Sequence, residues 1–71
     1  MKEPIRFKFG KRVRALRQKK GWTQQQLAEM AELDYKHIQR IESKNPTDVK
    51  LETIDKLAKA FKFSCAKLLD F

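Results

Sequence analysis

Three features of this 71-residue sequence predict an all-α domain. Apolar residues recur at helical intervals in five segments, no stretch supports a strand, and helix-start signals of one design occur three times. A chain this short forms a single domain, residues 1–71, and buries only about 60% of its unfolded surface. Its 41% hydrophobic content still supplies a small core.

In the first segment Phe9, Val13, Leu16 and the stem of Lys20 align on one face, and Gly21 follows as a residue suited to a left-handed stop. Residues 1–6 precede this stripe and are expected to form a flexible basic arm. The second segment opens with a capping box: Thr23 is the cap, Gln26 stands at the third helical position, and Trp22 staples to Leu27. Asp34 repeats the scheme with Leu33 stapled to Ile38. Ser64 repeats it again with Phe63 and Leu68, although Lys67 cannot return the reciprocal bond. Each cap contributes about 1 kcal/mol. Between these starts, Asn45-Pro46-Thr47-Asp48 is a turn cluster, and Leu51, Ile54, Leu57, Ala58 and Phe61 outline an amphipathic fourth helix.

Charge is unevenly spread. The net +8 lies wholly in residues 1–20, which carry +8, against −2 over residues 21–49 and +2 over residues 50–71. Such a surface attracts nucleic acid, an anionic membrane or an acidic protein, and it equally describes a solvated helix face. Several classes fall away. With two glycines there is neither a GxGxxG nor a GxxxxGK[ST] loop. Apolar runs never exceed two residues, so no transmembrane span is expected, and no signal peptide is visible. The lone Cys65 cannot form an internal disulfide, which fits a reducing, cytoplasmic setting. His37 and Cys65 are each the only residue of their kind and far apart in sequence; Ser64 and Cys65 read as cap and first turn. No catalytic set, metal site, cofactor or small-molecule ligand is indicated.

Residues 23–43 hold two short helices joined by about three residues, Glu32, Leu33 and the cap Asp34. So short a join favours a steep crossing over antiparallel packing. A helix-turn-helix has that geometry, as do tight corners in small helical domains of other functions. On the third helix Ile38 and Ile41 define the inner side, while Lys36, Gln39, Arg40 and Ser43 lie opposite with Tyr35 at the leading edge. No acid shares that outer face. Arg and Lys donate to guanine O6 and N7, Gln pairs with adenine N6 and N7, and Tyr reaches a thymine methyl or a phosphate. Arg17 and Glu42 each fall on the border of an apolar stripe, an arrangement that fits a partly buried ion pair or two solvated charges. Phe63, Leu68, Leu69 and Phe71 supply more apolar surface than one short terminal helix hides; a dimer seam is expected, with Phe71 capping the monomer core as the alternative.

Gly21-Trp22-Thr23-Gln24-Gln25-Gln26-Leu27-Ala28, Ile38-Gln39-Arg40-Ile41-Glu42 and the run from Leu51 to Phe61 together resemble the phage-repressor (lambda repressor and Cro-like) helix-turn-helix family, over about Phe9 to Leu69. The resemblance implies a compact five-helix bundle that binds double-stranded operator DNA as a two-fold dimer. It implies that Tyr35, Lys36, Gln39 and Arg40 read bases or adjoining phosphates. Gln24, with Thr23 and Gln25 beside it, would contact a phosphate at a helix N-terminus, and Ser43, Lys44 and Asn45 would grip backbone. Arg17 and Glu42 match the family's buried ion pair. Glu32 and Lys44 stand where the family often has Gly, and the loop from Asn45 to Val49 is longer than the family's shortest.

A sequence-specific DNA-binding transcriptional regulator, reading the major groove with its third helix as a homodimer, is therefore the leading expectation. The alternative is a protein-interaction module, such as the antitoxin partner of a toxin enzyme. Single-stranded RNA or membrane-surface binding through residues 1–20 is weaker, because Phe9 belongs to the core stripe.

Overall fold

The computed structural model describes residues 3–71, and Met1 and Lys2 lie outside the described residues. Five helices follow one another: α1 (Ile5–Lys19), α2 (Gln24–Ala31), α3 (Tyr35–Ile41), α4 (Leu51–Ala60) and α5 (Cys65–Leu68). There is no strand among the described residues.

Three of the four corners share one construction. Gly21, Glu32 and Lys62 adopt φ of 73°, 56° and 60°, and each closes the preceding helix with the paired backbone bonds of a Schellman motif. The N–H of Trp22 donates to the Arg17 carbonyl (3.1 Å) and that of Gly21 to Gln18 (3.0 Å). Leu33 donates to Ala28 (2.8 Å) and Glu32 to Glu29 (3.2 Å); Phe63 donates to Ala58 (2.8 Å) and Lys62 to Lys59 (3.0 Å). The next residue in each corner is a large hydrophobe, Trp22, Leu33 or Phe63, packed against the core. The cap of the following helix comes directly after it. Glu32 thus takes the left-handed conformation its place in the turn demands, at the modest cost a Cβ imposes.

Two of the three expected caps form. Thr23 Oγ1 accepts from Gln26 N (3.1 Å) while Gln26 Oε1 accepts from Thr23 N (2.8 Å), and Ser64 Oγ accepts from Lys67 N (3.1 Å). Asp34 occupies the cap position with extended backbone, but its side chain makes no capping bond. The α2–α3 corner is held instead by its backbone bonds and by Leu33.

The core takes residues from every helix: Phe9 and Val13, Leu27 and Ala28, Ile38 and Ile41, Leu57 and Phe61, and Leu68. Each such large side chain contributes about 1.5–3 kcal/mol by leaving water. Trp22 stacks on Phe61 with ring centroids 5.8 Å apart, and Phe63 tilts against the same ring at 6.2 Å. Two sequence expectations need correction. Leu51 is 82% exposed rather than inward. On a helical wheel it lies about 120° from Leu57, beyond the small Ala58, so the inward stripe of α4 runs through Thr53, Leu57 and Phe61 instead. Residues 1–6 are not all arm, because α1 begins at Ile5 and Arg6 Nε donates to the Pro46 carbonyl at 3.0 Å. Pro4, with its fixed φ, leads directly into that first turn.

Gly10 has a specific reason to be glycine. It sits in mid-helix where α1 crosses the end of α3, and a Cβ there would collide with the Ile41 carbonyl oxygen. The two backbones meet with no side chain between them.

Candidate nucleic-acid interface

The site is assembled around Arg17. Its Nε and Nη2 donate to Glu42 Oε2 and Oε1 at 2.8 and 2.9 Å, and Nη1 donates to the Trp22 carbonyl at 2.8 Å. Glu42 is the residue that ends α3, so one guanidinium joins α1, the corner before α2 and the tail of α3. The side chains are 12% and 1% exposed, which decides between the two sequence readings in favour of the ion pair. The Glu42 hydrogen bonds raise the Arg17 pKa against the desolvation that lowers it, with the carboxylate charge adding to the rise. A cation held this way adds stability that is fully present below its unfolded pKa. That stability is lost only as pH rises through the higher folded value, so the pair stays intact across neutral and mildly alkaline pH.

Around this clamp the predicted DNA-facing residues fall into three groups. Tyr35, Lys36, Gln39 and Arg40 are all exposed, on the side of α3 opposite buried Ile38 and Ile41. Tyr35 keeps 44% of its surface accessible. Gln25, Lys44 and Asn45 are likewise exposed. The third group has commitments of its own. Thr23 Oγ1 accepts the capping bond, which leaves its hydroxyl proton free to donate. Gln24 Nε2 donates to Glu42 Oε1 at 3.3 Å, so its amide rests on the ion pair with one N–H and the carbonyl oxygen remaining. Ser43 is exposed, and its hydroxyl donates to the Arg40 carbonyl at 2.8 Å, a bond it would exchange for one to a phosphate.

The expected seam divides as well. Leu68 has no exposed surface and belongs to the core, where α5 needs its one inward side chain. Phe63 is half-buried against Phe61. Leu69 and Phe71 remain, 41% and 48% exposed. Sequence reasoning missed Ile5, which is 72% exposed and shares an apolar cavity with Leu69, along with Gly10 and the Arg6 tie to Pro46. A glycine inside a helical stripe was the available signal for Gly10. Nothing in the sequence marks Arg6 among the nine cations of residues 1–20. Among the described residues no cluster of His, Cys, Asp or Glu is arranged to hold a metal, and no helix is long and apolar enough to cross a membrane.

A capped helix, a three-residue corner and a second helix presenting amide, guanidinium and ammonium groups define a helix-turn-helix protein. The family comparison agrees: a helix-turn-helix model matches residues 13–68, and the chain belongs to the Cro/C1-type helix-turn-helix family of DNA-binding transcription regulators, which are not enzymes. Among solved structures it is similar to the restriction-modification controller protein C.AhdI from Aeromonas hydrophila. The two share 36% identity with a TM-score of 0.81, over 89% of this chain and 94% of that one. No curated protein gives a significant match.

Proposed function

We propose that the chain binds a specific double-stranded DNA sequence as a homodimer, with α3 lying in the major groove. The observation that carries this reading is the exposed, acid-free face of Tyr35, Lys36, Gln39 and Arg40, held at a fixed height by the buried Arg17–Glu42 pair. The Gln39 amide carries the donor and acceptor that an adenine edge matches, Arg40 carries the paired donors for guanine, and Lys36 and Tyr35 serve bases or adjoining phosphates. Thr23, Gln24 and Gln25 at the start of α2, with Lys44 and Asn45 after α3, supply backbone contacts that set register. The likeness to a restriction-modification controller favours control of such a system.

Selection of bound duplexes from a random pool tests the reading directly. Arg40→Ala should cost about 1–3 kcal/mol and relax preference at one base position. Equal loss on every sequence removes Arg40 as a reader. With about six phosphates neutralised per dimer, log K should fall with log salt at a slope of roughly −5.

The seam of the proposed dimer is Leu69 and Phe71 together with Ile5. Ile5 and Leu69 line one shallow apolar cavity of about 280 Å³ with Val49 and Ile54. Sedimentation at micromolar protein should give a dimer, and the selected duplexes should hold two half-sites about 34 Å apart. A lone 8.4 kDa species with a single asymmetric site overturns the two-fold reading.

A further inference from the structure

On the side of α1 away from α3, a groove of about 470 Å³ runs between α1 and the α4–α5 corner. Its floor is apolar, made by Leu16 and Phe63 over the buried Phe61. Its rim is cationic, made by Arg12, Lys19, Lys20 and Lys67. Arg12 is fixed there because Nε and Nη2 donate to the carbonyls of Leu68 (3.2 Å) and Lys67 (3.0 Å), while Lys67 Nζ lies 4.6 Å from the Phe63 ring centroid. Among the described residues none of these four cations pairs with a carboxylate, and no acid lines the groove. Three cations elsewhere meet acids, Lys11 with Glu3, Arg17 with Glu42 and Lys59 with Asp55; what sets the groove apart is four unpaired cations around one apolar floor.

We propose that this groove docks an acidic segment of a partner protein that carries one apolar anchor side chain. Four like charges brought together repel, and an incoming anion relieves that repulsion while forming charge-assisted bonds. A bare polyanion would satisfy the rim and leave the floor wet. A segment with carboxylates flanking a Phe or Leu satisfies both, burying its anchor over Leu16 and Phe63. The body of α1 stands between this groove and the face of α3, so a bound segment leaves the reading residues uncovered.

The test is an NMR titration of the full chain with a synthetic peptide in which Asp and Glu flank a single Phe. Saturable shifts centred on Leu16, Phe61 and Phe63 are expected. Affinity should drop at least about tenfold when the peptide's Phe is changed to Ser, and again in the Lys19→Glu, Lys67→Glu double variant. Lys19 and Lys67 are exposed, so circular dichroism should report an unchanged fold, and Lys19→Gln with Lys67→Gln should fall between the two. Affinity for a duplex selected from the random pool should change much less than affinity for the peptide. Four results overturn the proposal: no saturable binding, equal binding of the Ser peptide or of polyglutamate, shifts centred on α3, or a double variant that loses as much for the duplex as for the peptide. Equal competition by phosphatidylglycerol vesicles, which assigns the groove to a membrane surface, overturns it too.

Discussion

Two short helices are each tied to α1 by an arginine, and the two ties differ in kind. Arg17 holds the end of α3 through a carboxylate, in a bidentate bond shielded from water. Arg12 holds the end of α5 through the carbonyls of Leu68 and Lys67, at a half-open surface. Neither helix, at seven and four residues, would persist alone in water. A cation at a helix C-terminus is favourable in both places, but only the first attachment also buries a charge pair. The difference matches the tasks: α3 must present side chains at a set depth and angle, whereas α5 only closes the core with Leu68.

That contrast can be broken at either arginine. Arg17→Met leaves the Glu42 carboxylate buried without its partner and should cost about 3–5 kcal/mol, read from urea unfolding. A loss that large approaches the whole stability of a domain this size. Arg17→Lys does not restore it, because a point charge cannot serve two carboxylate oxygens and the Trp22 carbonyl together. The double change Arg17→Met with Glu42→Leu should recover much of the stability, since a buried pair replaced whole by apolar groups is close to neutral. Poor DNA binding by that refolded variant would sharpen the comparison, marking the pair as a positioning device rather than a source of stability. Arg12→Ala should cost only about 1 kcal/mol by the same measurement. If Arg12 and Arg17 prove equal, the distinction drawn between α3 and α5 fails. The smallest effect is expected at the corner: Glu32→Gly relieves a left-handed Cβ and should stabilise by about 0.5–1 kcal/mol, visible as a small rise in Tm.

Much of this was legible in the sequence because its signals are local. A cap and its staple lie within six residues, so the starts of α2 and α5 follow directly from Thr23 and Ser64, and the outer face of α3 follows from the spacing of Ile38 and Ile41. What was not legible depends on distant partners. The hydroxyl of Ser43 turned back to the Arg40 carbonyl, a choice of rotamer no pattern encodes. Leu68 and Leu69 are identical neighbours, and only the placement of α5 against the core sends one inward and the other out. The angles left Arg17 and Glu42 undecided because border positions go either way until two helices meet.

The three matching corners have a kinetic consequence. Each is closed by bonds between residues close in sequence, so the direction in which the chain leaves one helix and enters the next can be set before any distant contact exists. The ordering entropy of forming the bundle is thereby spent in small local steps, the circumstance in which helical domains reach the native state within microseconds to milliseconds.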